Sequence, residues 1–290
     1  MEIIIGENAG FCYGVKRAVE GTFQALKDKN KEKFYCLGEL VHNNAVTNAL
    51  KENGAIFIDN IDCAKSTLIV RAHGIRKSDY EYLEKENIKF IDYTCPNVLK
   101  IHTIVEEYAK EGYYIFLLGD KKHPENIGTI SFCGEKSCII DSEQEALNAL
   151  ENLKQNNAQK LLVVAQTTYS VEKFKIITDL ISLNASDSIE IIIKNTICTA
   201  TNIRQTETEK ISKIVDYMII IGGKNSSNTK KLYEIAKKNC KNAVMIESAN
   251  ELETSTIIES ERIGIMAGAS TPAICIDEVV DKVKKQEKNL

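Results

Sequence analysis

The sequence predicts an α/β fold of three small, similar domains, each a mostly parallel sheet flanked by helices. Short runs rich in isoleucine, valine and aromatic residues alternate with amphipathic runs along the whole chain, which is typical of repeated strand and helix pairs. A strand, a cysteine turn and the start of a helix also follow one another three times, at Cys12, Cys95 and Cys198. We expect the three domains to be related by a rough threefold axis around a central site.

The composition predicts a globular protein without nucleic-acid or membrane partners. The 290 residues are 43% hydrophobic and 27% charged, as in ordinary globular domains. The formal net charge of -4 gives no general reason to expect nucleic acid or an anionic membrane as a partner. No apolar run approaches the roughly 18 residues of a membrane span, and no basic stretch precedes the first apolar residues. We therefore expect a cytoplasmic protein.

The nine cysteines are numerous for this length, and their odd number argues against a complete set of internal disulfides. A reducing compartment fits better, with most cysteines acting as small buried apolar residues. Cys133 and Cys138 lack the spacing of a redox or zinc pair. Cys12, Cys95 and Cys198 differ from the rest because each lies between a strand and a helix, where backbone N–H groups and the positive helix end favour a thiolate.

A second kind of strand recurs in each predicted domain and ends in a glycine. The strand runs are residues 34–37, 114–118 and 218–221, and each delivers a polar side chain four residues after its glycine. The three pairs are Gly38 with His42, Gly119 with His123, and Gly222 with Ser226. The equal spacing predicts that these side chains occupy equivalent places in the three sheets.

A third kind of strand, at residues 68–70, 161–165 and 264–267, ends near a polar group and precedes a helix. The polar residues are His73 in the first case, Thr167 and Thr168 in the second, and Ser270 in the third. The three cysteines are about 80 and 100 residues apart, which is long enough for small domains. We therefore predict domains at 13–95, at 96–194, and at 195–290 together with 1–12, so that the N-terminal strand completes the last sheet.

The carboxyl ends of strands form the ligand crevice of open α/β sheets, so these loop residues are expected on one side of their sheets. Three converging thiolates without a matching fourth ligand could hold zinc, or a [4Fe–4S] cluster whose fourth iron is open to substrate. Neither the zinc-site nor the ferredoxin cysteine spacing is present. The spacing alone leaves both metals open.

The polar loop residues favour a phosphate site, because imidazolium, hydroxyl and backbone N–H groups all donate to phosphoryl oxygens. The candidates are His42, His73, His123, Thr167, Thr168, Ser270 and the run Ser226, Ser227 and Asn228 at the start of a predicted helix. Glu125 is different, because a carboxylate would repel the anion, and we predict a proton-transfer role for it. His102 lies within the helical pattern after Cys95 and is expected to be a structural or surface histidine.

Eight short motifs, taken in order, resemble those of the LytB/IspH family of hydroxymethylbutenyl diphosphate reductases, which catalyse the last step of the non-mevalonate isoprenoid pathway. The resemblance covers the whole chain, and no position of these motifs departs from the family pattern. The motifs are residues 10–15, 41–43, 71–74, 94–96, 119–125, 166–168, 222–228 and 267–272. Together they identify the chain as a member of that family.

The resemblance implies an iron–sulfur enzyme that converts (E)-4-hydroxy-3-methylbut-2-enyl diphosphate to isopentenyl and dimethylallyl diphosphate by reductive dehydroxylation. It implies a [4Fe–4S] cluster with one open iron, and three protein ligands, Cys12, Cys95 and Cys198. It also implies that Glu125 supplies protons and, with Thr167, contacts the allylic hydroxyl. The diphosphate ligands implied are His42, His73, His123, Ser226, Ser227, Asn228 and Ser270.

A transient electron donor, a ferredoxin or a flavodoxin, is the partner that such a reaction requires. Two other classes of protein share part of the pattern. One is an enzyme that uses an open cluster iron as a Lewis acid without net electron transfer, similar to quinolinate synthase or a hydro-lyase. The other is a non-catalytic iron–sulfur or zinc sensor, which has no need of a hydroxyl-rich and histidine-rich anion pocket.

Overall fold

The computed structural model describes residues 1–27, 32–156, 158–186, 188–257 and 260–287. Strands and α-helices alternate through most of these residues, and two pairs of successive strands are instead joined by short 3-10 helices, at Ile61–Cys63 and at Ala249–Glu251 with Thr254–Thr256. The strands are β1 (Glu2–Ile5), β2 (Phe34–Leu37), β3 (Ile56–Ile58), β4 (Thr67–Val70), β5 (Phe90–Asp92), β6 (Tyr114–Leu118), β7 (Ser137–Ile140), β8 (Lys160–Ala165), β9 (Glu190–Ile193), β10 (Tyr217–Ile221), β11 (Asn242–Ile246) and β12 (Arg262–Ala267). The helices are α1 (Tyr13–Lys27), α2 (Asn44–Glu52), α3 (Lys77–Lys85), α4 (Pro96–Lys110), α5 (Pro124–Ile130), α6 (Glu143–Gln155), α7 (Val171–Asn184), α8 (Thr199–Ser212), α9 (Ser227–Asn239) and α10 (Ala273–Glu287).

The strands form three sheets of four parallel strands with the same internal order. The first sheet runs β3-β2-β4-β5, the second runs β7-β6-β8-β9, and the third runs β11-β10-β12-β1. The N-terminal strand β1 pairs with β12, so that Glu2 lies opposite Arg262 and Ile5 opposite Ile265. The prediction of three parallel-sheet α/β units with flanking helices is confirmed.

The described chain divides into two compact units. Unit 1 comprises Met1–Phe23, Glu39–Asn53 and Thr199–Leu290, and it contains the third sheet and helix α2. Unit 2 comprises Gln24–Gly38 and Gly54–Cys198, and it contains the first and second sheets. The domain boundaries drawn from the cysteine spacing stay a prediction.

Successive side chains of a central strand point to opposite faces of the sheet, and in this protein both faces are buried. In β6 of unit 2, Ile115 and Leu117 pack in one apolar cluster with Val105 of α4, whereas Phe116 packs in another with Leu150 of α6. A parallel sheet covered on both sides requires apolar residues at every position, which is why its strands are continuous apolar runs. Each fully buried large side chain contributes about 1.5–3 kcal/mol.

The third sheet in unit 1 is built in the same way. Ile219 and Ile221 of β10 pack in a cluster with Val279 of α10, and Ile220 of the same strand packs in another with Leu232 of α9. These helices fix the carboxyl ends of the strands, where the polar loops begin. Within the described ranges, no helix is both long enough and apolar enough to cross a lipid bilayer.

Candidate active site

The three cysteine turns share one backbone hydrogen bond. Each cysteine follows an outer strand of its sheet, and its N–H donates to a carbonyl two residues beyond the neighbouring strand. The bonds run from Cys12 to Ala269 (3.1 Å), from Cys95 to Ala72 (3.0 Å) and from Cys198 to Thr167 (3.0 Å). A helix begins at the next residue in each case, at Tyr13, Pro96 and Thr199. The equivalence that the sequence suggested for these turns is therefore present in the backbone.

Burial separates these cysteines from four of the other six, which are Cys36, Cys133, Cys240 and Cys275, whereas Cys138 is also partly exposed and Cys63 is exposed. Cys12, Cys95 and Cys198 are all partly exposed, and no disulfide joins any of the nine cysteines, all of which lie in the described residues. By contrast, burial raises the pKa of several other thiols, to about 12 at Cys36 and Cys133. A thiolate is therefore disfavoured at those buried positions, where the cysteines act as apolar residues.

The strand order reverses between the two central strands of each sheet, which is the place where open α/β sheets form a ligand crevice. One side of the crevice is the glycine loop, whose glycine N–H donates to the last residue of the adjacent outer strand. These bonds are Gly38 to Ile58 (2.8 Å), Gly119 to Ile140 (2.9 Å) and Gly222 to Ile246 (2.9 Å). The other side is the loop that follows β4, β8 or β12 and carries His73, Thr167 or Ser270. The polar residues predicted from spacing thus belong to equivalent loops.

The helix after the glycine loop begins differently in the three sheets. His123 and Ser226 are the N-caps of α5 and α9, four residues after their glycines, as the common offset suggests. In the remaining loop Asn43 is the N-cap of α2, and its side chain accepts a hydrogen bond from the N–H of Val46 at 3.1 Å. Asparagine is a strong N-cap, so helix α2 starts one residue later and His42 precedes it.

We call His73, His123, Glu125 and Thr167 the glutamate cluster, which lies in unit 2. The Glu125 carboxyl contacts Thr167 through both oxygens, because Oε1 accepts from the Thr167 N–H and Oε2 lies against the Thr167 hydroxyl, each at 2.6 Å. The rings of His73 and His123 meet edge to face, with 5.3 Å between their centres. The structure therefore brings four of the predicted residues of unit 2 into one group.

Burial keeps a proton on Glu125 near neutral pH. The side chain is 2% exposed, and desolvation raises its pKa to about 7, although the two hydrogen bonds from Thr167 act in the opposite direction. The folded protein itself raises this pKa, because the charged form of Glu125 is cut off from water.

The orientation of the His123 ring is set by the helix that it caps. Its Nδ1 accepts a hydrogen bond from the N–H of Glu125 at 3.2 Å. A nitrogen that accepts from an N–H carries no proton, so the ring proton is on Nε2. The tautomer makes His123 a donor from Nε2.

A buried amide network, which the sequence analysis did not single out, supports the glutamate cluster. Asn126 is fully buried beside Glu125, and its Nδ2 donates to the Asp120 carbonyl at 2.8 Å and to Gln166 Oε1 at 2.9 Å. Gln166 Nε2 in turn donates to the Thr168 hydroxyl at 2.8 Å, so half-buried Thr168 joins the network rather than the carboxyl group. In the sequence, this network is indicated only by position, because Asn126 follows Glu125 and Gln166 precedes Thr167.

We call His42, Ser226, Asn228 and Ser270 the serine cluster, which lies in unit 1. The Ser270 hydroxyl donates to the His42 carbonyl at 3.1 Å, and Gly223 packs so closely on that carbonyl that a side chain at this position would collide with it. His42 Nδ1 lies 3.0 Å from a carboxylate oxygen of Glu39, a residue that the sequence analysis did not identify. Carboxylates only accept, so Nδ1 is the donor and Glu39 orients the ring.

Asn228 is the most unusual member of the serine cluster. The residue is 3% exposed, and neither its Oδ1 nor its Nδ2 has a hydrogen-bond partner among the described residues. An unsatisfied buried amide destabilises the protein unless a ligand provides the missing bonds. Ser227, the first residue of α9, is half-buried beside it. The pair is therefore available for a polar ligand.

His102 belongs to neither cluster. It is 4% exposed and stacks on Phe132 with 4.2 Å between ring centres. Burial lowers its pKa to about 4, and neither ring nitrogen has a hydrogen-bond partner in the part of the chain that the structure describes. Of the two roles proposed for it, structural or surface, the structural one is confirmed.

The chain matches one family model and several named relatives over nearly its full length. The family model described as "LytB protein" matches residues 3–284. A protein of Caldanaerobacter subterraneus subsp. tengcongensis, named 4-hydroxy-3-methylbut-2-enyl diphosphate reductase, is 44% identical over 98% of this chain and 97% of its own length. An Aquifex aeolicus protein of the same name is 39% identical over 98% of this chain and 96% of its own.

Solved structures give the same result. The structure of "(E)-4-Hydroxy-3-methyl-but-2-enyl Diphosphate Reductase, the Terminal Enzyme of the Non-Mevalonate Pathway" is 40% identical, with a TM-score of 0.70 over 98% of this chain and 100% of that one. The E-1-hydroxy-2-methyl-but-2-enyl-4-diphosphate reductase of Plasmodium falciparum is 33% identical, with a TM-score of 0.88 over 97% of this chain and 87% of that one. The chain belongs to the LytB protein family.

Proposed function

We propose that this protein reduces (E)-4-hydroxy-3-methylbut-2-enyl diphosphate to isopentenyl and dimethylallyl diphosphate. Family membership and the names of its relatives support the reaction and the substrate. The observation that carries the proposal is the buried Glu125, which holds a proton near neutral pH and contacts Thr167 with both oxygens. Loss of an allylic hydroxyl as water requires such a proton donor, shielded from bulk solvent.

We propose that Cys12, Cys95 and Cys198 hold a [4Fe–4S] cluster with one open iron. The three residues fit such a group because they are partly exposed thiols at equivalent turns, each directly before a helix whose N-terminus favours a thiolate. When bound, the cluster would supply electrons and a Lewis-acidic iron for the substrate hydroxyl. A ferredoxin or flavodoxin is the proposed electron donor, and a reducing cytoplasm is the proposed location.

We propose that the serine cluster binds the diphosphate together with His73, His123 and Ser227. Ser226 and Asn228 lie at the first turn of α9, where N–H groups and the helix dipole attract an anion. The Asn228 amide can donate one of its unmatched hydrogens to a phosphoryl oxygen, and His123 can donate from Nε2. Binding would thus satisfy a buried group that has no hydrogen-bond partner in the described part of the chain.

Glu125 supplies protons through Thr167. In the protonated acid, Oε2–H donates to the Thr167 hydroxyl oxygen across the 2.6 Å contact, and the hydroxyl hydrogen is then directed away from the carboxyl group. Transfer along this pair delivers a proton to the leaving oxygen and leaves a carboxylate on Glu125. In total, the substrate takes up two electrons and two protons, and water leaves. The fixed geometry of Thr167 means that the acid needs no rearrangement before it acts.

The test is anaerobic purification, quantitation of iron and sulfide, and turnover with a reduced dye and the hydroxylated allylic diphosphate. We expect about four irons per chain, as a cubane cluster requires, and formation of both products. Cys95→Ser should lose the visible absorbance of the cluster and its iron. Cys63→Ser is the matched control, because Cys63 is exposed, and it should keep both.

Three results would contradict the proposal. Full retention of iron and sulfide by Cys95→Ser would show that the ligand set is wrong. Turnover of a substrate without consumption of reductant would identify a Lewis-acid enzyme instead. Iron or zinc binding without diphosphate binding would indicate a sensor.

A further inference from the structure

Two side chains of helix α8 hold the loop that precedes Cys12, and all these groups lie in unit 1. The Glu207 carboxylate accepts from the N–H of Glu7 at 2.6 Å and from the N–H of Asn8 at 3.1 Å. One turn earlier on the same helix, Arg204 Nη2 donates to the Gly10 carbonyl at 2.8 Å. The loop is therefore held by an acceptor at one end and a donor at the other.

Arg204 also binds its own helix. Its Nη1 donates to the Ala200 carbonyl at 2.9 Å, so one guanidinium joins a carbonyl two residues before Cys12 to a carbonyl two residues after Cys198. The residue is only 5% exposed. Burial of a guanidinium is unfavourable unless hydrogen bonds compensate, and a planar group with fixed donors is suited to bridging two carbonyls.

The loop itself is shaped to lie close to the helix. A side chain at Gly6 would overlap the Met266 sulfur and come within 3.3 Å of Glu207 Cδ. Gly10 has a φ of 98°, a conformation that residues with a side chain rarely adopt. The close contacts at Gly6 and the left-handed turn at Gly10 together restrict the backbone conformation of residues 6–10 beside α8.

We propose that Arg204 and Glu207 are positioning residues for Cys12. They form a clamp, defined by these two side chains, that sets the backbone of the cysteine turn before any cofactor is bound. The positive charge of Arg204 also favours thiolates and an electron-rich cluster, because it lies in a region shielded from water. This second effect rests on the cluster proposed above, whereas the clamp itself does not.

The first experiment uses the apoprotein and follows the rate at which a maleimide labels Cys12, read by peptide mass spectrometry. Arg204→Lys and Glu207→Gln should label about tenfold faster than the unchanged protein, because each loses a hydrogen bond that holds the turn, and Arg204→Lys keeps the positive charge that favours the reactive thiolate. Lys210→Met is the matched control, since it removes an exposed charge from the same helix, and its rate should not change. Equal labelling rates in all four proteins would overturn the clamp.

The second experiment uses the iron-loaded protein and separates charge from geometry. Arg204→Lys keeps the cation but cannot reproduce the two-carbonyl bridge, so it should lose iron to a chelator faster while its reduction potential stays unchanged. Arg204→Met should lose iron faster and also shift the potential to more negative values. Lys210→Met should do neither.

The possible failures are distinguishable. An unchanged potential in Arg204→Met would overturn the electrostatic part of the proposal, and unchanged iron loss in both Arg204 variants would overturn the positioning part. If the unchanged protein bound no iron, the proposed cofactor would be wrong, while the labelling rates would still decide the clamp. Where Arg204→Met does not fold, Arg204→Lys and Glu207→Gln give the same decision.

Discussion

The glutamate cluster and the serine cluster arise from equivalent loops of sheets with the same strand order, yet the hydrogen bonds of the Glu125 carboxyl and of the Asn228 amide are satisfied in opposite ways. In the glutamate cluster both oxygens of Glu125 contact Thr167, and burial favours the neutral acid. In the serine cluster the buried amide of Asn228 has no partner among the described residues. The Glu125 carboxyl is fully hydrogen-bonded without a ligand, and the Asn228 amide is not, as far as the described residues show.

This difference matches the two tasks proposed for the repeated loops, proton donation and anion binding. A proton donor must be held in place and kept neutral before substrate arrives, so its partners belong to the protein. An anion-binding group must gain its bonds from the ligand, so it stays unmatched until binding. We therefore expect changes in the glutamate cluster to act on kcat and changes in the serine cluster to act on KM.

The largest expected effect is that of Glu125→Gln. The amide keeps the size and the contact with the Thr167 N–H but has no acidic proton, so kcat should fall by about 10²- to 10⁴-fold. KM and iron content should stay close to those of the unchanged protein. Steady-state kinetics with iron analysis would check this. Unchanged turnover would show that the proton comes from elsewhere and that the two clusters do not differ in task.

The pH profile should show the same acid. Because Glu125 has a pKa of about 7 and is proposed to act in its protonated form, kcat should fall as the pH rises above this value, approaching about tenfold per pH unit. By pH 9 the loss would be about 100-fold. Measurement of kcat at saturating substrate from pH 6 to pH 9 would test this, and a flat profile would contradict the assignment.

A smaller effect is expected in the serine cluster. Asn228→Ala should raise KM about tenfold with little change in kcat, since it removes a buried donor to a charged ligand. Asn225→Ala is the matched control, because Asn225 is an exposed amide in the same loop, and its kinetic constants should not change. A fall in kcat without a rise in KM would place Asn228 in the chemistry and break the comparison.

The smallest effect concerns stability and uses His102 as a buried imidazole outside both clusters. Its pKa is about 4 in the folded protein and about 6.5 when unfolded, so the unfolded chain binds the proton more tightly. The free energy of unfolding should therefore decrease by roughly 2–4 kcal/mol as the pH falls from 6.5 to 4. Denaturant unfolding of His102→Phe should lack this loss, and an identical pH dependence in both proteins would contradict the assignment.

Glu125 should contribute with the opposite sign over much of the same range. Its raised pKa means that the folded protein binds the proton more tightly, so its contribution to stability falls as the pH rises from 4.5 to about 7. The variants Glu125→Gln and His102→Phe should therefore change the pH dependence of unfolding in opposite directions.

The sequence alone determined the features that depend on local pattern. Continuous apolar runs such as residues 114–118 gave the buried parallel strands, and the recurrence of glycine, cysteine and polar turns gave the three sheets. The equal offsets placed His123 and Ser226 correctly at the start of their helices. These features follow from periodicity and turn chemistry, which act within a few residues of each other.

Only the tertiary structure decided which groups are satisfied. Nothing in the local sequence shows that Asn126 binds Gln166 or that Glu207 binds the N–H of Glu7, because these contacts join segments far apart in the chain. The same holds for the burial of Asn228 without a hydrogen-bond partner among the residues that the structure describes. The helix start at Asn43, one residue later than the repeat implied, was likewise decided by a single side-chain cap. Desolvation belongs to the folded state as a whole, and the raised pKa of Glu125 could therefore be read only from its burial.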